Sequence, residues 1–135
     1  MPFQVCYYHV VWATKYRQAI ITPSIEAVIL NTIAEKSIEL KSRVYAINTV
    51  PDHIHVAVAI AVNISVADWV QRAKGVSSYE VNTMYPDLDP RFGWQAGYGV
   101  LTFGEKRLPY VVDYVQRQKE RHGINDLEDY LEQME

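Results

Sequence analysis

The period of the apolar positions changes several times along the chain, and each change marks an element. Gln4 to Thr14 alternates with period two and is rich in Tyr, Val and Trp, which predicts a strand. Thr22-Pro23-Ser24 then opens a helix. Thr22 or Ser24 serves as cap, and the proline sits in the first turn, where its missing N–H is harmless. Ile25, Val28, Ile29, Thr32, Ile33 and Leu40 form a helical stripe that runs to about Lys41. Arg43 to Val50 reads as a second strand, Pro51-Asp52 as a turn and His53 to Ala61 as a third strand paired with the second. Ser65 to about Met84 is a second helix with Val66, Trp69, Val70 and Ala73 on one side. A loop rich in Pro and Gly, Tyr85 to Gly97, leads to a fourth strand, Tyr98 to Phe103. Leu108 to Arg121 is a third helix, stopped by Gly123, and the chain from Ile124 onward fits a short acidic helix.

The order is β-α-β-β-α-β-α. Its first six elements are those of an α+β ferredoxin-like split βαβ sandwich, with two helices on one sheet face and the other face free. The additional C-terminal helix must pack elsewhere. No repeat, low-complexity tract or linker divides the chain, so residues 1–135 are expected to form one domain with an acidic tail from about 124.

Composition alters this picture little. No apolar run approaches the roughly 18 residues of a membrane span. The N-terminus lacks a basic segment followed by an apolar one, so a cytoplasmic protein is expected. Cys6 is the only cysteine, which excludes an intrachain disulfide and a cysteine-based zinc site. The net charge of -3 argues against nucleic acid as a partner. Its distribution matters more than the sum. Five acids (Asp126, Glu128, Asp129, Glu132 and Glu135) crowd the tail, and without them the 16 acidic residues fall below the 13 basic ones. The bases form short clusters that include Lys15 and Arg17, then Arg72 and Lys74.

Candidate chemistry lies in the third strand and the third helix. Period two puts Ile54, Val56, Val58 and Ile60 on one face of the strand and His53, His55, Ala57 and Ala59 on the other. The branched face should meet the helices, and the small residues beyond the imidazoles leave room for a ligand. Two histidines at i and i+2 can share a metal ion or can each be satisfied by hydrogen bonds, and the strand offers no third ligand. A histidine-triad nucleotide hydrolase would need a third histidine where Ala57 stands.

In the third helix Leu108, Val111, Val112 and Val115 form the apolar stripe, with Tyr114 and Gln118 at its edge, one turn apart. An edge tyrosine is either an amphipathic packing group or a nucleophile toward a phosphodiester. A phenol is ionised to about one part in a thousand at pH 7, a gap of roughly 4 kcal/mol that a nearby divalent cation narrows. Gln118 can give a carbonyl oxygen to the same cation. Two His and one Gln with open positions suit Mg²⁺ or Mn²⁺.

Five segments in order carry a family resemblance. They are Tyr8-His9-Val10-Val11-Trp12-Ala13-Thr14-Lys15-Tyr16-Arg17, Val50-Pro51-Asp52-His53-Ile54-His55-Val56, Lys74-Gly75-Val76-Ser77-Ser78, Gly97-Tyr98-Gly99 and Tyr114-Val115-Gln116-Arg117-Gln118. From about Phe3 to His122 the chain resembles the single-tyrosine HUH transposases of insertion sequences that move as single-stranded DNA. The resemblance implies His53 and His55 as the HUH pair, Tyr114 as the nucleophile and Gln118 as third ligand of Mg²⁺ or Mn²⁺. It also implies cleavage of single-stranded DNA through a 5′-phosphotyrosine intermediate, recognition of hairpins and a homodimer in which one subunit's tyrosine helix can complete the other's site. Lys15, Arg17, Arg72 and Lys74 are candidate DNA contacts, and Tyr16, Trp12 or Trp69 candidate base-stacking groups. Tyr110 is a competing nucleophile that lacks a glutamine four residues on. A domesticated REP-associated tyrosine transposase, a non-catalytic DNA-binding relative and a small-molecule phosphoesterase are the alternatives.

Overall fold

The computed structural model describes residues 5–120, with β1 (Tyr7–Ala13), α1 (Pro23–Glu39), β2 (Arg43–Val50), β3 (His53–Ala59), α2 (Val66–Met84), β4 (Gly99–Phe103) and α3 (Leu108–Gln116). The expected start of the first strand at Gln4, the stop at Gly123 and the acidic tail lie outside the described residues. The four strands form one antiparallel sheet in the order β2-β3-β1-β4, the ferredoxin-like arrangement.

Local chemistry explains the boundaries. The Thr22 hydroxyl accepts from the Ile25 N–H and caps α1, and the Ser65 hydroxyl accepts from the Asp68 N–H and caps α2. α1 ends two residues earlier than its pattern suggested because Lys41 takes a left-handed conformation (φ 57°). Lys41 N–H then bonds Ile38 O and Ser42 N–H bonds Ser37 O, closing the helix in place of a glycine.

One sheet face and the inner sides of α1 and α2 enclose the main core. Val10, Trp12, Ile54, Val56 and Val58 meet Ile25, Ile29, Ile33, Trp69, Val70 and Ala73 there. Trp12 and Trp69 contact edge to face with centroids 6.1 Å apart, and both are buried. Neither can therefore stack on a base from solution. Tyr16 is 79% exposed and keeps that option.

The second sheet face is not free. α3 crosses β2 and β3 on that side, and Val111 and Val115 pack on Ala46 and Ala57. The small residues that the sequence suggested as space for a ligand are, at Ala57, a seat for this helix.

Candidate active site on the second sheet face

Register decides which side chains share the site. Ala13 pairs with His53, Val11 with His55 and His9 with Ala57 across the β1–β3 ladder, while Asn48 pairs with His55 across β2–β3. Side chains of paired residues lie on one face, so His9, His53, His55 and Asn48 all point toward α3. The His53 and His55 rings are 5.0 Å apart between centroids. The Tyr114 ring meets His55 edge-on at 5.9 Å and His9 edge-on at 5.8 Å. Tyr114 is only 4% exposed, and the histidines it touches belong to its own chain. Tyr110, one turn earlier, is half-exposed with the Arg107 guanidinium over its ring.

Each histidine of the pair has a neighbour at Nδ1. The Asp52 carboxylate sits 2.6 Å from Nδ1 of His53. Burial alone would raise the Asp52 pKa, but the His53 hydrogen bond and charge, with help from Arg17, hold it below the ordinary carboxylate range. An ionised carboxylate only accepts, so Nδ1 of His53 donates, and in the neutral ring that leaves Nε2 as the acceptor nitrogen. His55 Nδ1 lies 2.9 Å from His9 Nε2. Burial, then the charges of His9 and His53, push His55 well below its usual pKa, and burial pushes His9 down to about 4. Both rings are neutral at physiological pH, the state in which an imidazole ligates metal.

Among the described residues no three His, Cys, Asp or Glu side chains are grouped to hold a metal ion, so a cation at the histidine pair would need Gln118 as well. His55 Nε2 is buried with no hydrogen-bond partner among the described residues, which leaves it open to a ligand. Gln118 is buried, and its amide N–H donates to Tyr114 O at 3.1 Å, so the other end of the carboxamide is the acceptor oxygen.

The sequence put Gln118 on the third helix, one turn beyond Tyr114, but it does not lie on the helix itself. α3 ends at Gln116, and Gln118 lies in the turn that follows, its N–H on Val115 O. The cause is Asn48, whose amide donates to both Val115 O and Gln116 O at 3.1 Å and satisfies terminal carbonyls of the helix. Lys119 Nζ then donates to Asn48 Oδ1, Thr49 O and Glu26 Oε2, tying the turn to β2 and α1. Burial would raise the Glu26 pKa, yet hydrogen bonds from Lys119 and Thr49 and the lysine charge lower it overall. Asn48→Ala should cost about 1–3 kcal/mol, the range for stranding buried acceptors, measurable by urea denaturation. An unchanged unfolding midpoint would show that Asn48 does not secure α3.

The basic candidates separate. Lys15 and Arg17 lie in a short turn after β1 in which Tyr16 and Arg17 have positive φ, and Arg17 pairs with Asp52 at 3.3 Å. Lys74 Nζ donates to Gln95 O at 2.9 Å and Gly97 O at 2.7 Å, so it shapes the loop ahead of β4. These three stand at the His53 end of the sheet. Arg72 does not, because it lines a different hollow with Glu39, Lys41, Asn63 and Asp68, beyond the far end of β3. A notch of about 210 Å³ opens beside His53, lined by Val11, Trp12, Ala13 and the segment Gln95 to Gly99.

His9, Asp52 and Asn48 were not singled out as site residues from the sequence. His9 shares its strand parity with Tyr7, Val11 and Ala13, but only the β1–β3 register shows that this parity faces the histidine pair.

The fold and the sequence both match a class of DNA-handling enzymes. The Transposase IS200 like family profile matches residues 3–118. The IS200 insertion-sequence transposase of Salmonella typhimurium is 34% identical over 127 residues, covering 90% of this chain and 82% of the relative. The ISDra2 transposase TnpA of Deinococcus radiodurans is 22% identical over 118 residues, covering 84% of each. Among solved structures, a candidate transposase from Deinococcus radiodurans superposes with a TM-score of 0.71 at 22% identity, covering 87% of this chain and 93% of that one. A REP-associated tyrosine transposase bound to a REP hairpin superposes at 0.63 with 14% identity, covering 91% and 74%. The chain belongs to the IS200-like, single-tyrosine HUH transposase family, and it is a DNA transposase.

Proposed function

We propose that this transposase cuts and rejoins single-stranded DNA through a 5′-phosphotyrosine on Tyr114, with His53, His55 and Gln118 holding Mg²⁺ or Mn²⁺. The observation that carries the reading is the edge-on seating of Tyr114 against His55 on a sheet face that also holds His53. A bound cation would polarise the scissile phosphate and stabilise the phenolate. Asp52 holds His53 with Nε2 as the acceptor nitrogen, Asn48 and Lys119 fix the end of α3, and α3 covers the chemistry from water. The Tyr114 oxygen attacks phosphorus, the P–O3′ bond breaks, and a 3′ hydroxyl leaves. The phosphotyrosine keeps the bond energy, so the reverse attack by another 3′ hydroxyl rejoins strands without ATP.

The substrate is single-stranded DNA with hairpins at the ends of an insertion sequence, and the working form is a homodimer of this single domain. The hairpin held by the related REP-associated fold supports the first part. Lys15 bonds Gly93 O through its backbone and Arg17 pairs with Asp52 next to His53, so these are the basic groups best placed for phosphates, with Tyr16 exposed between them.

The test is to incubate the protein with hairpin-bearing single strands taken from DNA flanking its gene, plus Mn²⁺. A denaturation-resistant protein–DNA adduct and an extendable 3′ hydroxyl fragment are expected. Turnover without an adduct would point to a phosphoesterase, and binding without cleavage to a non-catalytic relative. Entry through the notch makes a further prediction. Gly99 pairs with Val11, which pairs with His55, so a side chain at position 99 would project onto the site face. Gly99→Leu should lower cleavage at least ~10-fold while thermal stability stays near wild type, since one misplaced group near the chemistry can cost more than that. Cleavage at the wild-type rate would place DNA entry elsewhere.

A further inference from the structure

The two metal-facing histidines are held differently. His53 leans on a carboxylate, whereas His55 leans on another imidazole. Ala57 stands opposite His9 in the ladder, and its small side chain lets the His9 ring lean diagonally onto His55. The two rings lie 5.1 Å apart, 29° from parallel, with His9 Nε2 and His55 Nδ1 at 2.9 Å. Both residues are fully buried.

Two neutral imidazoles that meet nitrogen to nitrogen hold one hydrogen between them, because two N–H groups cannot face each other at this distance. If His9 donated, His55 would carry its own hydrogen on Nε2. With a hydrogen on Nε2, His55 could not ligate a cation. If His55 donates, its Nε2 presents a lone pair into the site.

We propose that His9 is a positioning residue for His55: its Nε2 accepts the Nδ1 hydrogen of His55, which locks His55 in the Nδ1–H tautomer and aims its Nε2 lone pair at the cation site. The proposal rests on the metal-dependent reading above. His9 does for His55 what Asp52 does for His53, and both first ligands present Nε2 as a result. The same His9 ring also seats the edge of Tyr114, so one buried side chain on β1 orients a ligand and borders the nucleophile.

The test reads the tautomer first, in metal-free protein, by nitrogen-15 NMR of the imidazoles. The wild type should show His55 protonated at Nδ1 and bare at Nε2. His9→Gln, whose carbonyl can accept the same hydrogen, should keep that tautomer. His9→Phe keeps a ring beside Tyr114 but removes the acceptor. It should move His55 toward the Nε2–H form and weaken Mn²⁺ binding, titrated by calorimetry, by about 10- to 100-fold, with DNA binding unchanged. His55 protonated at Nε2 in the wild type would overturn the proposal, as would wild-type Mn²⁺ affinity in a folded His9→Phe. Should His9→Phe not fold, the wild type and His9→Gln still decide through the tautomer. Because that measurement needs neither metal nor DNA, an Nδ1–H tautomer in a protein that makes no adduct would fault the phosphotyrosine reading and leave the role of His9 standing.

Discussion

Replacing Tyr114 by phenylalanine should abolish covalent attachment to DNA and cut strand cleavage by at least ~10⁴-fold, as expected when a reaction loses its covalent nucleophile. The substitution removes one oxygen and keeps the ring. The edge contacts to His55 and His9 survive, as does the packing of α3 through Val111 and Val115. Stability should therefore change by no more than about 1.5 kcal/mol, the scale of a single hydrogen bond. Affinity for a hairpin-bearing strand should hold within a few-fold, because the phosphate contacts assigned to Lys15 and Arg17 lie outside α3. A variant that still forms the adduct would remove Tyr114 from the chemistry. A variant that fails to fold would be uninformative by itself, so unfolding curves must accompany the cleavage assay.

The second large effect is expected at His53. His53→Ala deletes a proposed ligand and leaves the Asp52 carboxylate facing an empty position, still paired with Arg17. Cleavage supported by Mg²⁺ or Mn²⁺ should fall at least ~100-fold, since losing a ligand is at least as severe as losing a group that merely supports one. Chelation should silence the wild type to a similar degree, and added Mn²⁺ should restore it but not the variant. The fold should persist, because the second sheet face is secured by Val111, Val115 and the Asn48 bonds rather than by His53. Full cleavage by His53→Ala, or by the wild type in chelator, would exclude a catalytic cation at this pair.

The sequence made the sheet legible because β3 alternates so cleanly. Ile54, Val56 and Val58 point to the core and His53 and His55 to the other side, as their parity requires. Ambiguity lay where meaning depends on distant partners. Ala57 looks like open space in sequence and is a seat for Val111 and Val115 in the fold. His9 looks like one polar residue in a strand of Tyr, Val and Trp until the β1–β3 register brings it to His55. Asn48 stops α3 from a strand 67 residues away, so no helical periodicity could place the end of that helix at Gln116. Lys74 and Lys119 read as surface charge, yet one binds loop carbonyls and the other joins β2 to α1. Charge patterns name candidates for phosphate contact, and only packing shows which bases have protein partners already.

The central claim is that Tyr114 carries the DNA. It is tested most directly by trapping the adduct with a hairpin-bearing single strand and Mn²⁺, digesting both components and locating the nucleotide-modified peptide by mass spectrometry. The expected result is one modified residue, Tyr114, linked to a 5′ phosphate. Modification of Tyr110 or of any hydroxyl outside α3, or strand cleavage with no modified peptide, would contradict it.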